Sequence, residues 1–227
     1  MMSKRLNAVY QLIPKNGKGV IDVGTDHGQI PIMLALSAYP GNIFASDIHD
    51  APLRVAISSA EMNGVSYRIH FFLADGLECC PPDQISCIVI AGMGGDTICT
   101  ILDQAEWLFS SAYRLVLQPM TRPEVVRYWL IHNEFLIDRE VCVREGDQLY
   151  QILSAVPGRS SRYRDADYLV GRAETHQNPE CFQQLLESQI QSVQKKLDGM
   201  MLSGRQAEST FAFYQRILCE LEETRHE

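Results

Sequence analysis

Apolar residues recur along this chain at two different periods, and each change of period marks an element. Leu6, Val9, Tyr10 and Ile13 fall on one face at helical spacing behind Ser3, a residue suited to cap a helix start, so a helix is predicted over 3–13. Pro14 and the pair Gly17/Gly19 stop it. The continuous run GVIDVG at 19–24 predicts a short buried strand, followed by the loop TDHG and an apolar helix to about residue 38. NIFASD at 42–47 reads as a second strand, and Pro52 then stands where a first-turn proline belongs, in a helix that ends at Asn63-Gly64. Residues 67–74 predict a third strand that leaves in the turn Asp75-Gly76. CIVIAGM at 87–93 predicts a fourth, feeding a glycine run and a helix to about residue 109. A fifth strand, YRLVLQ at 113–118, and a helix from 123 to about 132 complete this stretch.

Strand and helix alternate up to this point, an order that demands parallel pairing with helices on both faces. Two strand-like runs follow, 135–144 and 148–156, joined by the turn Glu145-Gly146-Asp147. The fold class expected is therefore α/β: a doubly wound, Rossmann-like sheet that ends in an antiparallel hairpin. After Pro157-Gly158 the composition turns polar, in GRSSRYRDADY. Beyond it Phe182, Leu186, Ile190, Val193, Leu197 and Met200 step by three and four, Ser203-Gly204 breaks the pattern, and Phe211, Tyr214, Ile217, Leu218 and Leu221 resume it. Two such helices with a short turn predict an antiparallel, coiled-coil-like hairpin. Two units are expected, a sheet domain over 1–158 and a small helical domain over 159–227.

Composition narrows the setting. Of the 227 residues 46% are hydrophobic and 21% charged, as in a soluble globular protein with a substantial core. No apolar run approaches the roughly 18 residues of a membrane span, and the N-terminus lacks a secretory signal. Seven cysteines without a C-x-x-C pair point away from a disulfide framework and from a metal site, so a cytoplasmic protein without metal is expected. The net charge of −8 counts against a broad basic face for nucleic acid and leaves room for a local patch. Arg159, Arg162 and Arg164 around Tyr163 form the candidate: phosphate contacts with a stacking ring, or equally a solvated linker. Nothing in the sequence speaks to oligomeric state.

The candidate chemistry gathers at the strand ends. The first turn reads Asp22-Val23-Gly24-Thr25-Asp26-His27-Gly28, where glycines let backbone approach a ligand at a helix start. It is not the G-x-G-x-x-G of a dinucleotide site. Asp22 and Asp26 would repel a pyrophosphate and favour a methionine moiety bearing an ammonium and a sulfonium. The plain alternative is a capping Asp and a satisfied His in an ordinary loop. Asp47 closes the second strand 25 residues after Asp22, where an acid takes ribose hydroxyls. Asp75 ends the third, as an acceptor for an adenine amino group or as a simple turn residue. Gly92, Gly94 and Gly95 around Met93 leave a bare backbone at the same edge. Gln118-Pro119 ends the fifth strand there, with an amide able to meet the exocyclic amine of a base. The terminal hairpin is typical of methyltransferase sheets and unusual among nicotinamide dehydrogenases.

These segments together resemble a known family. DVGTDHGQIP, ASDIHDAPLRVA, ADGLE, and above all IAGMGGDTICTIL followed by LVLQP, are similar to the TrmK family of bacterial tRNA (adenine-N1)-methyltransferases, which act on adenine 22 in the D-arm. The resemblance runs from about Lys4 to Val156, and the helical tail is similar in kind. It implies S-adenosylmethionine as cofactor and tRNA as partner. It further implies that Asp22, Gly24, Asp26, His27, Asp47, Asp75 and the loop Gly92–Gly95 line the cofactor pocket, with Thr25, Gly28, Ile48 and Gly76 beside them in the same turns. The edge at Asp26, His27, Gln118 and Pro119 would face the target base. The family usually continues LQP with Asn where this chain has Met120, and has Gly-Pro where this chain reads Gly171-Arg172. A methyltransferase with another acceptor, and a non-catalytic RNA-binding module that keeps the pocket, are the competing readings.

Overall fold

The computed structural model describes residues 3–15, 17–110 and 113–226. The outermost residues of the two expected units, 1, 2 and 227, lie outside the described residues. An N-terminal helix α1 (Lys4–Leu12) is capped by Ser3, whose hydroxyl accepts from the Leu6 N–H. The expected alternation then follows: β1 (Gly19–Val23), α2 (Gln29–Leu36), β2 (Asn42–Asp47), α3 (Asp50–Met62), β3 (Ile69–Leu73), β4 (Cys87–Gly94), α4 (Gly95–Asp103), β5 (Arg114–Thr121), α5 (Pro123–His132) and the hairpin β6 (Phe135–Glu145)/β7 (Gln148–Pro157). The seven strands form one sheet in the order β3-β2-β1-β4-β5-β7-β6. Strands β3 through β5 pair in parallel, and β7 runs antiparallel between β5 and β6.

Successive residues of the central strands feed opposite cores, as the two-residue period requires. Ile21, Ile88, Ile90, Leu115 and Leu117 pack against Ile98 and Leu102 of α4 and Val126 and Leu130 of α5. Their neighbours Val20, Val89 and Val116 face Val9 and Leu12 of α1 and Ile30 and Leu34 of α2. Burial on both faces explains why these strands read as unbroken apolar runs. Among the described residues, no helix is long and apolar enough to cross a membrane.

Four features differ from expectation. The fifth strand does not end at Gln118-Pro119 but runs on to Thr121, which pairs with Gly94 of β4. The third strand starts at Ile69, because Ser66–Arg68 form a 3-10 turn. The helix expected to reach residue 109 ends at Asp103, and a separate 3-10 segment, Glu106–Ser110, carries the chain on. The polar stretch after Pro157 contains a helix, α6 (Asp165–Val170), started by the Asp167 carboxylate accepting from the Arg164 N–H at 2.9 Å. Six residues are too few for a readable period, and so short a helix depends on outside partners.

The tail consists of α7 (Pro179–Leu202) and α8 (Ser209–His226). Phe182, Leu186, Ile190, Val193 and Leu197 pack on Ile217 and Leu221, as their spacing predicts. The same cluster includes Ala166 and Val170 of α6 and Cys142 of β6, so the tail's core is continuous with the outer strand of the sheet. A buried ion pair joins them. Arg127 of α5 donates to Glu140 of β6, to Gln151 of β7, and to the Tyr168 and Leu169 carbonyls at the end of α6. Thr175 closes the shell on the other oxygen of Glu140 at 3.0 Å.

Candidate functional site

The carboxyl ends of the parallel strands open onto one cavity of about 840 Å³, on the edge where the order reverses between β1 and β4. Its floor is made by the first turn. Asp22, near the end of β1, is buried, and its Oδ2 accepts from the Thr25 hydroxyl at 2.8 Å. Burial pushes this carboxyl up to about 7, against the Thr25 hydrogen bond and helped by the charge of Asp47. No basic side chain pairs with it among the described residues. Gly24 turns the chain with φ +69°, and a β-carbon there would run into Met93 Cε.

Asp47 at the end of β2 holds the loops together. Its Oδ2 accepts from the Asp26 N–H at 3.2 Å and its Oδ1 from the His49 N–H at 2.9 Å. The loops are further tied by Gly24 and Thr25 N–H bonds to the Ser46 carbonyl. Two lone pairs of the Asp47 carboxylate are thus spent on position, leaving others toward the cavity. Ile48, Asp75 and Gly76 line the β2–β3 side of the cavity, with Ile48 54% exposed although apolar. Asp26 and His27 are exposed at the rim, His27 Nε2 3.6 Å from Asp26 Oδ2.

On the opposite side β4 slips register at Ala91/Met93 and again at Met93/Gly94. Gly92 and Met93 line the cavity there. Gly94 and Gly95 do not: Gly94 caps α4, and Gly95 lies so near the Arg122 carbonyl that no β-carbon fits. Gly28 likewise sits behind the wall, turning into α2 against Ala56. These three glycines shape the loops instead of touching a ligand.

The expectation of a Gln118 amide facing a base is revised. Gln118 is fully buried. Its Oε1 accepts from the Gly92 N–H at 3.1 Å and from the Arg5 guanidinium, while its Nε2 donates to the Pro119 carbonyl at 2.8 Å and toward Met120 Sδ at 3.7 Å. Pro119 is buried as well, and neither residue lines the cavity. Met120, 45% exposed, takes the place on the lip. Sequence reasoning also passed over Arg5, Asp96 and Thr97 in the lining. Asp96 forms a bidentate pair with Arg122, both oxygens at 2.7 Å.

The arginine cluster is dispersed. Tyr163 is buried, with the Arg172 guanidinium 4.2 Å over its ring, so it is not free to stack on a base. Arg164 is turned inward to Asp167 and Thr224. Arg159 pairs with Glu134 at the surface, and Arg162 is exposed, its carbonyl accepting from Arg172 at 2.5 Å. Acids take two of the three arginines, Glu134 pairing with Arg159 and Asp167 with Arg164.

An open α/β sheet with this hairpin, and an acidic cavity at its switch point, defines a methyltransferase, and a family model described as "Methyltransferase domain" matches residues 2–153. The tRNA (adenine(22)-N(1))-methyltransferase of Bacillus subtilis (strain 168) is 34% identical over 167 residues, 74% of this chain and 68% of that protein. The crystal structure of the B. subtilis M1A22 tRNA methyltransferase TrmK superposes with a TM-score of 0.76 at 26% identity, covering 100% of this chain and 96% of that one. A Streptococcus pneumoniae putative tRNA (m1A22) methyltransferase, in complex with S-adenosyl-L-methionine, gives 0.78 at 27%, with both chains covered in full. The chain belongs to the TrmK family of tRNA (adenine-22-N1)-methyltransferases.

Proposed function

We propose that this chain transfers a methyl group from S-adenosylmethionine to N1 of adenine 22 in tRNA. The observation that carries the reading is the cavity itself: a buried Asp22, without a basic partner among the described residues, beneath strand-end acids Asp47 and Asp75, in a chain of this family. These residues fit the cofactor. A buried carboxyl without a cation of its own suits a ligand ammonium, Asp47 suits ribose hydroxyls, and Asp75 with exposed Ile48 suits an adenine. When bound, S-adenosylmethionine supplies a methyl group on a positively charged sulfur.

The protein's own part is position and charge. Adenine N1 carries an in-plane lone pair, so no side chain has to remove a proton before attack. Base pairing hides that edge, and the target base must be unpaired or flipped to reach the rim. Asp26, exposed there beside His27, is placed to stabilise the positive ring that forms. Met120 offers the base a polarisable apolar face where the family has Asn. We assign cofactor and base to residues 1–158 and the holding of tRNA to 159–227, with exposed Arg159 and Arg162 as the remaining phosphate contacts of the original cluster. A cytoplasmic place of work follows from that substrate.

Incubation with labelled S-adenosylmethionine and bulk bacterial tRNA, followed by nucleoside analysis, tests the reading. Label in 1-methyladenosine is the expected result. Label found only in protein or in a small metabolite, with tRNA present, would replace the acceptor.

A further inference from the structure

The cysteine spacing points away from a disulfide framework, yet the fold brings two of the seven thiols together. Cys142 lies on β6 and Cys181 in the first turn of α7, 39 positions apart along the chain. Their sulfurs are in direct contact, and Cys142 Sγ also lies 3.4 Å from the Cys181 carbonyl. Both are buried, at 0% and 5% exposure, in the core that β6 shares with α6, α7 and α8. One buried thiol is a small apolar filler with a weak donor. Two that face each other from different elements can be joined by a bond.

Neighbouring hydrogen bonds hold the pair in register. Glu140, two residues before Cys142, accepts from the Gln177 N–H at its carbonyl, 2.9 Å, and from the Thr175 hydroxyl at its carboxylate. Asn178 then caps α7 by accepting from the Cys181 N–H at 3.1 Å. The segment leading into α7 is thus stitched to β6 on its way to Cys181, so the meeting of the sulfurs follows from the backbone path. The remaining cysteines are placed differently. Cys80, Cys87 and Cys99 are buried in the two sheet cores, and Cys79 and Cys219 are exposed.

We propose that Cys142 and Cys181 are a modification site: a hydroperoxide converts them to a reversible disulfide that fixes the helical tail to the outer strand of the sheet. The inference stands apart from the methyl-transfer reading. Asn178, Pro179 and Glu180, just before Cys181, are exposed, so the oxidant meets Cys181 first when the helix start opens. With hydrogen peroxide, the Cys181 sulfur bonds to one oxygen as the O–O bond breaks. The thiol proton leaves with the departing hydroxide as water, and a sulfenic acid remains. The Cys142 sulfur then attacks that sulfur. The S–S bond forms, the S–O bond breaks, and the hydroxide departs with the Cys142 proton as a second water. Two thiols and one peroxide give one disulfide and two waters. In a reducing compartment such a bond is transient and redox-sensing, not structural.

The test uses the full chain carrying Cys79→Ser and Cys219→Ser, which removes the exposed thiols, treated with hydrogen peroxide at low protein concentration. Its intact mass without reductant is expected to fall by two hydrogen atoms, and a peptide map to join the segments that hold Cys142 and Cys181. A phosphine reductant should restore the original mass. Closing a loop of this length should raise the unfolding midpoint by about 5–10 °C over the reduced protein. Adding Cys142→Ser should abolish the bond and trap the sulfenic acid on Cys181, where dimedone labels it. Both thiols still open to alkylation after the peroxide-treated chain is unfolded would overturn the proposal. So would a bond that involves Cys80, Cys87 or Cys99, or sulfonic acid on Cys181 with Cys142 left free. A Cys142–Cys181 bond that leaves the midpoint unchanged would overturn the claim that it fixes the tail.

Discussion

Asp22 and Glu140 are both buried carboxylates on strands of the same sheet, and the structure treats them in opposite ways. Glu140 meets Arg127 with side chains 1% and 0% exposed, and Gln151, Thr175 and two backbone carbonyls complete the shell. Among the described residues, Asp22 has a threonine hydroxyl and no cation. A completed network is a structural joint, here between the sheet and α6; an incomplete one keeps binding capacity in reserve. The contrast locates the site more sharply than counting acidic residues does.

The joint should give the largest response. Arg127→Ala leaves Glu140 buried without its partner, and a loss of about 3–5 kcal/mol in unfolding free energy is expected by denaturant titration. A loss below 1 kcal/mol would mean that Glu140 takes up a proton or reaches water at little cost, and the contrast with Asp22 would fade.

Asp22 should respond with the other sign. Its carboxyl holds its proton more tightly folded than unfolded, where 3.8 is the ordinary value. The group therefore costs nothing below about pH 4, and its cost grows as pH rises toward 7. Asp22→Asn is expected to stabilise the ligand-free protein by up to about 4 kcal/mol at pH 8 and hardly at pH 4. Thermal unfolding at the two pH values reads the difference. Equal effects at both would show that folding leaves the proton affinity of Asp22 unchanged.

The smallest effect is expected at Asp47, which combines both behaviours. Asp47→Ala should weaken S-adenosylhomocysteine by about 1–3 kcal/mol in calorimetry, through the ribose contact and through release of the Asp26 and His49 N–H groups. Unchanged affinity in a folded variant would remove Asp47 from the pocket and leave it as a loop tie alone.

Much of the fold and of the cavity is legible in the sequence. The strands β1, β2 and β4 are apolar runs that end in acids or glycines, and β5 is one that runs into Gln118-Pro119, so their presence and their active edge follow from period and punctuation. The helix seam at Phe182, Leu186, Ile190 and Val193 gives the tail hairpin by the same argument. The acids Asp22, Asp47 and Asp75 reach one cavity because parallel strands put their carboxyl ends on one edge. The short α6 carries no comparable signal, because its support comes from Arg127, 38 residues before its first residue.

What the sequence determined by itself is therefore the local part: periods, caps, turns, and which residue types stand at the strand ends. Pairing between side chains far apart along the chain was decided only by the tertiary structure. Gln118 looks like a free amide beside Pro119, yet the arrival of α1 brings Arg5 onto it and the register of β4 brings Gly92. Tyr163 stands among arginines in sequence, yet Arg172 covers it and Arg164 turns to α8. The reason is physical. Backbone preference and hydrophobic period act within a few residues, whereas a charged side chain takes whichever distant partner the packed core brings near and shields from water.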